Sequence, residues 1–220
     1  MEDVLDVYEE PYDPRRPYVC FDECPYQLVS EVRQPLPPRP GAVAKYDYEY
    51  TREGTCNLFM FVQPQIGWRH VDVTDRRTAQ DFAHCMRDLV DRHFPQAATI
   101  RVVLDNLNTH SLAALYETFS PVEARRIARK LEFHYTPKHG SWLNMAEIEL
   151  AVLNGRCLSR RLPSQDRVRS QIVAWEATRN AARRTITWTF TTTAARIKLE
   201  HLYPSLPAGG TVSETREQVA

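Results

Sequence analysis

The pattern that most constrains this chain of 220 residues is a pair of apolar segments, each followed directly by an acidic residue. In VCFDE, residues 19–23, the apolar run ends at Asp22, and in RVVLDNLNTH, residues 101–110, it ends at Asp105. Short continuous apolar runs predict buried strands. If the two strands are parallel neighbours, their carboxyl ends meet at one sheet edge, where open α/β sheets bind ligands.

The order of predicted elements indicates an α/β fold. Two or three strands joined by short turns before residue 75 predict an antiparallel meander. After Thr78, a candidate N-cap, helical segments alternate with strands at 100–104 and 132–137. We therefore predict a mixed five-stranded sheet with flanking helices, which is the arrangement of a ribonuclease-H-like fold.

Several local features carry their own predictions. The alternating tyrosines of residues 46–50 predict a strand, and TREGT, residues 51–55, predicts a turn. A helix is expected over residues 141–162 with Ser141 as its N-cap, and a short strand is expected over residues 185–191.

Composition and patterning suggest how the chain is divided. We expect an acidic lead-in at 1–16, the α/β domain at 17–162, a helical extension packed on it at 163–206, and a disordered tail at 207–220. No apolar run reaches the length of a membrane span, and the first residues lack the pattern of a signal peptide, so a cytoplasmic location is expected. Five scattered cysteines exclude a disulfide framework.

The net charge of zero conceals an uneven distribution. Residues 1–120 carry a net charge of −7, and residues 121–220 carry +7. A basic half can follow the phosphates of a nucleic acid. Solvated helix faces would give the same distribution, so charge alone does not decide between the two interpretations.

Two further acids, Glu147 and Glu149, lie in TPKHGSWLNMAEIEL, residues 136–150. Residues two apart on a helix differ by roughly 200°, so only one of them can face the two aspartates. We predict that Glu147 does so and that Glu149 faces solvent. Converging carboxylates repel one another, and a hard divalent cation is their natural partner. Three carboxylates could hold two ions, a site suited to in-line displacement at phosphorus.

VCFDE, VVLDNLNTH and FHYTPKHGSWLNMAEIEL resemble the catalytic core of bacterial insertion-sequence transposases of the 630 family, in the mariner superfamily. The resemblance covers residues 1 to about 204. It implies a catalytic and metal-binding DDE triad of Asp22, Asp105 and Glu147, with two Mg²⁺ ions that Mn²⁺ can replace. It also implies metal-dependent DNA strand cleavage and strand transfer in DNA transposition.

The resemblance carries expectations about partners as well. DNA, as transposon ends and target, is the implied substrate, and a homodimer or higher oligomer is expected on it. Relatives carry a helix-turn-helix segment before the core, for which residues 1–16 leave no room. The chain therefore resembles a catalytic half, and three alternatives stay open: a separate reading frame that works with a helix-turn-helix end-binding chain, a fragment, or a truncated copy. The 41 residues between Asp105 and Glu147 exceed the usual gap, and the extra ones are expected in helices at 111–131.

Nine residues are candidates for contacting DNA: Asn106, His110, Arg125, Arg126, Arg129, Lys138, His139, Arg160 and Arg161. Asn106 and His110 could instead orient the metal ligand, or be a turn residue and a residue before a helix. The others could be solvated surface residues. Two alternatives to the transposase stay open: a nuclease of the same fold that cuts without strand transfer, and a non-catalytic remnant that binds DNA or regulates a full-length transposase.

Overall fold

The computed structural model describes residues 1–203, so the tail predicted at 207–220 lies outside the described residues. Its centre is a five-stranded sheet. The strands are β1 (Tyr18–Glu31), β2 (Tyr50–Gln63), β3 (Trp68–Thr74), β4 (Ile100–Leu104) and β5 (Leu131–Tyr135). Their order across the sheet is β3-β2-β1-β4-β5. The first three strands form an antiparallel meander, and β4 and β5 run parallel to β1, which confirms the predicted mixed sheet.

Helices cover both faces of this sheet. They are α1 (Glu2–Glu9), α2 (Ala79–Asp88), α3 (Leu112–Thr118), α4 (Pro121–Ala128), α5 (Ala146–Arg156), α6 (Gln165–Ala181) and α7 (Thr192–Lys198). Helices α1, α5, α6 and α7 pack on one face, and α2, α3 and α4 pack on the other. Side chains of β1 alternate between the two cores: Tyr18 and Cys20 enter the first, and Val19 and Phe21 enter the second.

Local sequence signals position several helix ends as predicted. Thr78 forms a capping box with Asp81 at the start of α2. The helical region 111–131 is interrupted at Ser120, whose side chain caps α4, and Pro121 occupies the first turn of that helix. The five cysteines are free, in agreement with the absence of a disulfide framework.

The first hairpin is longer than predicted. Strand β1 does not end after Asp22 but continues to Glu31, paired with β2 except at an irregularity around Leu28. Residues 51–55, predicted as a turn, belong to β2, whereas Tyr46 and Tyr48 lie outside any strand and are exposed. Antiparallel pairing satisfies the backbone hydrogen bonds of both strands even where their side chains are polar. The two strands therefore continue through their polar residues.

Two predictions about the second half are wrong. The side chain of Ser141 caps no helix, because residues 141–143 form a short 3₁₀ turn and α5 begins only at Ala146. The side chain of Asn144 accepts a hydrogen bond from the Ala146 amide (3.1 Å) and donates one to the Phe21 carbonyl (2.7 Å). Residues 185–191 form no strand in the described structure.

Residues 1–16, which we expected to be an acidic lead-in, contain the core helix α1. Val4, Leu5, Val7 and Tyr8 of this helix are buried. The Tyr8 hydroxyl donates a hydrogen bond to the carbonyl of Leu143 (2.8 Å), shortly before α5. The division into four segments otherwise stays a prediction. Within residues 1–203, every helix is too short or too polar to cross a bilayer.

Candidate active site

The register of the two central strands places two aspartates side by side. The last parallel pair between β1 and β4 joins Cys20 and Val103. Asp22 and Asp105 each lie two residues further along the chain, at the same level, and Asp22, which is still in β1, lies on the same face of the sheet as Cys20. That face is the one covered by α5. Strand β4 ends at Leu104, which leaves the Asp105 side of this edge open.

The third predicted acid reaches the same place from α5. Asn144 connects the start of α5 to the carbonyl of Phe21, the neighbour of Asp22. Glu147 lies in the first turn of the helix and is exposed. Glu149, expected to face solvent, is instead buried at 1% exposure. Because the two glutamates point to opposite sides of the helix, burial of Glu149 leaves Glu147 on the open side.

The three carboxylates interact electrostatically. Burial raises the pKa of Asp22 to about 7, and the negative charges of Asp105, Glu147 and Glu23 act in the same direction. The Glu23 amide donates a hydrogen bond to Oδ1 of Asp22 (2.9 Å), which opposes this rise only in part. Asp22 is therefore a largely desolvated carboxylate with other acids nearby, and a bound cation would favour its ionised form.

A tighter group lies directly behind Asp105. Within residues 1–203, one set of three potential ligands has its atoms within 4.8 Å of one another: Glu23, Asp105 and His110. The predicted triad does not form such a set within the described residues, and its assignment stays a prediction. Sequence reasoning missed Glu23, although the adjacent acids of VCFDE were a visible signal.

His110 links the two acids of this group. Its Nδ1 lies 2.5 Å from Oδ1 of Asp105, and its Nε2 lies 2.9 Å from Oε2 of Glu23. The ring stacks on Phe82 with centroids 4.9 Å apart. Burial alone would lower the pKa of His110, but the two carboxylates raise it to about 9. His110 is only 1% exposed, so the predicted contact with DNA is wrong, whereas the alternative role of orienting Asp105 agrees with this geometry.

A cleft of about 400 Å³ opens beside Asp105. It is lined by Asp105, Asn106, Leu107, Thr136, Pro137, Lys138, His139 and Ser141. Asn106, Lys138 and His139 are exposed there, so the structure brings these three predicted DNA-contacting residues to the acidic site. Their contact with DNA stays a prediction.

The arginines of α4 lie at the other end of the sheet. The residues after this helix lead into the start of β5, where the Lys130 carbonyl accepts a hydrogen bond from the Ile100 amide. Asp105 follows β4 five residues later, roughly 16 Å away in an extended strand. Arg125, Arg126 and Arg129 therefore cannot contact a phosphate held at the acids. Arg126 is moreover paired with Asp91 and Glu123.

The two arginines that follow α5 differ from each other. Arg161 pairs with Glu31 and donates hydrogen bonds to the carbonyls of Asp47 and Glu49, so it holds the loop between β1 and β2. This engagement leaves its guanidinium little capacity for a phosphate. Arg160 is exposed, and its contact with DNA stays a prediction.

The chain is similar to known proteins in both sequence and structure. The pattern of the DDE superfamily endonuclease family matches residues 17–169. Among solved structures, the Mos1 strand transfer complex matches with 15% identity and a TM-score of 0.54, over 76% of this chain and 49% of that chain. The Mos1 mariner paired end complex with Mn matches with 17% identity and a TM-score of 0.53, over 79% and 52%. No match was found among curated proteins.

The likeness to the Mos1 chains confirms the predicted ribonuclease-H-like fold. The present chain spans about half the length of those chains. Because the family pattern extends over most of the sequence and includes Asp22, Asp105 and Glu147, this chain belongs to the DDE superfamily endonucleases.

Proposed function

We propose that this chain is the catalytic domain of a DDE transposase that performs metal-dependent DNA strand cleavage and strand transfer. The observation that carries this proposal is the parallel pairing of β1 with β4, which ends two residues before Asp22 and Asp105. The negative charges of Asp105 and Glu147 both act on the pKa of Asp22, which supports a shared site for the three carboxylates. Family membership and the Mos1-like fold support the same function.

The residues present fit a pair of divalent cations. All three proposed ligands are carboxylates, the hard oxygen donors preferred by Mg²⁺ and Mn²⁺. Burial, and to a smaller extent the neighbouring acids, raise the pKa of Asp22, and a bound cation would favour its ionised form. We propose two Mg²⁺ ions, replaceable by Mn²⁺, held by Asp22, Asp105 and Glu147. When bound, such ions activate the attacking hydroxyl group and stabilise the leaving oxygen of the phosphodiester.

The protein's own contribution is to hold these ligands on rigid elements. Asp22 lies within β1, between β2 and β4, and its carboxylate accepts the Glu23 amide hydrogen. Asp105 is held by His110. Lys138 and His139 line the cleft beside Asp105, where they would bind the phosphates of a DNA strand.

The proposed transposase function implies several partners. We propose transposon-end and target DNA as substrates, a homodimer or higher oligomer as the working assembly, and a separate helix-turn-helix chain for end recognition. One of the similar Mos1 structures is a strand transfer complex and the other a paired end complex, which supports assembly on DNA. A cytoplasmic location would give access to bacterial DNA.

A plasmid-nicking assay in Mn²⁺ tests the proposed active site. Asp22→Asn, Asp105→Asn and Glu147→Gln should each reduce nicking by at least about 100-fold, because each removes a direct metal ligand. Asp166→Asn is the matched control, since the side chain of Asp166 is 94% exposed on α6. Equal activity of the three variants and the wild type would contradict the proposed triad.

A joining assay separates the transposase from the alternatives. A labelled duplex with a free 3′-hydroxyl at the transposon end is incubated with plasmid and this chain. A parallel reaction also contains a full-length relative that binds the ends. Joined product that depends on Glu147 supports the transposase. Nicking without joining indicates a nuclease, and neither reaction with the wild-type chain indicates a non-catalytic remnant.

A further inference from the structure

The first turn of α5 carries two glutamates with opposite environments. Glu147 is exposed, and Glu149, two residues later, is 1% exposed. Their side chains are roughly 200° apart around the helix. Any rotation of α5 that moves Glu149 therefore moves Glu147 by the same angle, and the position of the buried residue determines the direction of the exposed one.

Two arginines from separate elements bind the buried glutamate. Nη2 of Arg69, on β3, donates a hydrogen bond to Oε1 of Glu149 (3.0 Å), and the Arg69 side chain is fully buried. Arg179, near the end of α6, donates to the same oxygen. The helix that carries Glu147 is thereby connected to β3 and to α6 through a single carboxylate.

Arg69 is itself fixed from several directions. Its guanidinium donates hydrogen bonds to the carbonyls of Gly67 (2.7 Å) and Arg184 (2.6 Å). Its backbone exchanges two hydrogen bonds with the side chain of Asn180, at 2.9 and 2.8 Å. The end of α6 and the residues that follow it are therefore part of the same junction as β3.

We propose that Arg69, Glu149 and Arg179 are positioning residues that set the rotation of α5 and thereby aim Glu147 at Asp22 and Asp105. This inference rests on the proposed function, in which Glu147 is a metal ligand. It assigns an active-site role to the end of α6, because Arg179 lies beyond the segment 17–169 that matches the family pattern.

The apolar contacts of α5 do not supply this constraint by themselves. Ala146, Leu150 and Leu153 are the buried apolar residues of the helix, and hydrophobic burial is not directional. Hydrogen-bonded ion pairs depend on both distance and angle. Oε2 of Glu149 and Nε of both arginines make no hydrogen bond within residues 1–203, so the cluster is not fully satisfied. Such a buried cluster fits a role in specifying geometry better than a role in adding stability.

Arg179→Met is the most informative variant. It keeps the unbranched stem of the side chain as far as the position of Nε and removes the guanidinium, while Glu149 remains paired with Arg69. The free Mn²⁺ concentration is followed by electron paramagnetic resonance during titration of the chain, and folding is checked by circular dichroism. We expect the Mn²⁺ concentration at half-saturation to rise by about 10- to 100-fold, as is typical when a partner that orients a metal ligand is lost. Arg179→Lys should give an intermediate value because it keeps the charge without the planar fork.

Glu176→Gln is the matched control. Glu176 lies one turn before Arg179 on the same helix and pairs with His70 of β3, so this variant loosens the same junction without touching Glu149. It should lower the melting temperature but leave the Mn²⁺ affinity unchanged. Glu147→Gln, measured in parallel, should weaken Mn²⁺ binding directly.

The outcomes distinguish this inference from the proposed function. If Glu147→Gln weakens Mn²⁺ binding while folded Arg179→Met and Arg179→Lys bind as the wild type does, the positioning role is overturned and the proposed function stands. If the wild-type chain binds no Mn²⁺, or Glu147→Gln binds it normally, both are overturned. If Arg179→Met fails to fold, Arg179→Lys decides, with wild-type affinity again counting against the inference.

Discussion

Nδ1 of His110 lies 2.5 Å from Oδ1 of Asp105, and the other ring nitrogen lies 2.9 Å from Glu23. One buried imidazole thus stands between a proposed metal ligand and an acid that has only 4% of its side chain exposed. The hydrogen bond at Nδ1 supports the carboxylate of Asp105, and the attraction between the ring and the Glu23 carboxylate favours the same ring position. In other metalloenzymes, side chains that hydrogen-bond to a metal ligand orient it in the same way.

Replacement of His110 by phenylalanine should therefore impair the site while preserving the aromatic packing on Phe82. We expect a rise of about 10- to 100-fold in the Mn²⁺ concentration needed for half-maximal nicking. The free energy of unfolding should fall by about 1–3 kcal/mol because the buried Glu23 carboxylate loses its nearest cation and keeps only Arg77, 3.8 Å away. His84→Phe, at an exposed position on α2, is the control. Normal metal dependence of His110→Phe would show that Asp105 needs no support from the ring.

Asp22→Asn should stabilise the chain in chelator-treated buffer. The pKa of Asp22 is raised to about 7 in the folded state, above its usual 3.8, so ionisation costs stability as the pH rises from 3.8 to about 7. An amide avoids this cost. Thermal melts should show the variant above the wild type at pH 8, with a difference that shrinks towards pH 5. Added Mn²⁺ should raise the melting temperature of the wild type but not that of Asp22→Asn, and a less stable variant at pH 8 would contradict the electrostatic argument.

His70 should make stability depend on pH at the junction of β3 and α6. Its ring nitrogens lie 3.1 Å from Glu176 and 3.2 Å from Asp72. Burial lowers its pKa, but the hydrogen bonds and charges of Asp72 and Glu176 raise the pKa of His70 to about 9. The stabilisation is therefore complete below pH 6.5 and is lost as the pH rises through 9.

Urea unfolding of His70→Asn at pH 6, 8 and 10 measures this contribution. The variant should be less stable than the wild type at pH 6, by no more than about 3 kcal/mol, and nearly equal to it at pH 10. His84→Asn serves as the control. A difference that stays constant across the three pH values would mean that packing, and not charge, accounts for the role of His70.

Leu5→Ala tests whether α1 belongs to the core. Leu5 is fully buried in the cluster that also contains Leu143 and Leu150. Its truncation should lower the free energy of unfolding by about 2–5 kcal/mol, as for other buried leucines. Chemical denaturation gives this value, and the exposed Asp13→Ala is the comparison. A loss of stability no larger than that of Asp13→Ala would contradict the burial of α1.

Much of the fold could be predicted because its signals are local. The apolar run that ends before Asp105 predicts β4, and Thr78 predicts the start of α2. The continuation of β1 past Asp22 could not be predicted from its own residues. It depends on pairing with β2, and residues such as Glu23 and Gln27 give no continuous apolar pattern.

The environment of the site was harder to predict than its ligands. Glu149 was expected in solvent because helical periodicity cannot reveal partners from distant segments. Its two partners come from positions 80 and 30 residues away along the chain. His110 was similarly misjudged because Glu23, its second partner, belongs to a strand whose course was predicted to end there.

The junction of Glu149 with Arg69 and Arg179 has a consequence for how this chain tolerates length changes. The 41 residues between Asp105 and Glu147 include α3 and α4, which pack on the opposite face of the sheet from α5. If the rotation of α5 is set by β3 and α6, the intervening segment can gain or lose surface residues without turning Glu147 away. The number of residues between Asp105 and Glu147 then reflects insertions on the face of the sheet opposite α5. It does not indicate whether the active site is intact.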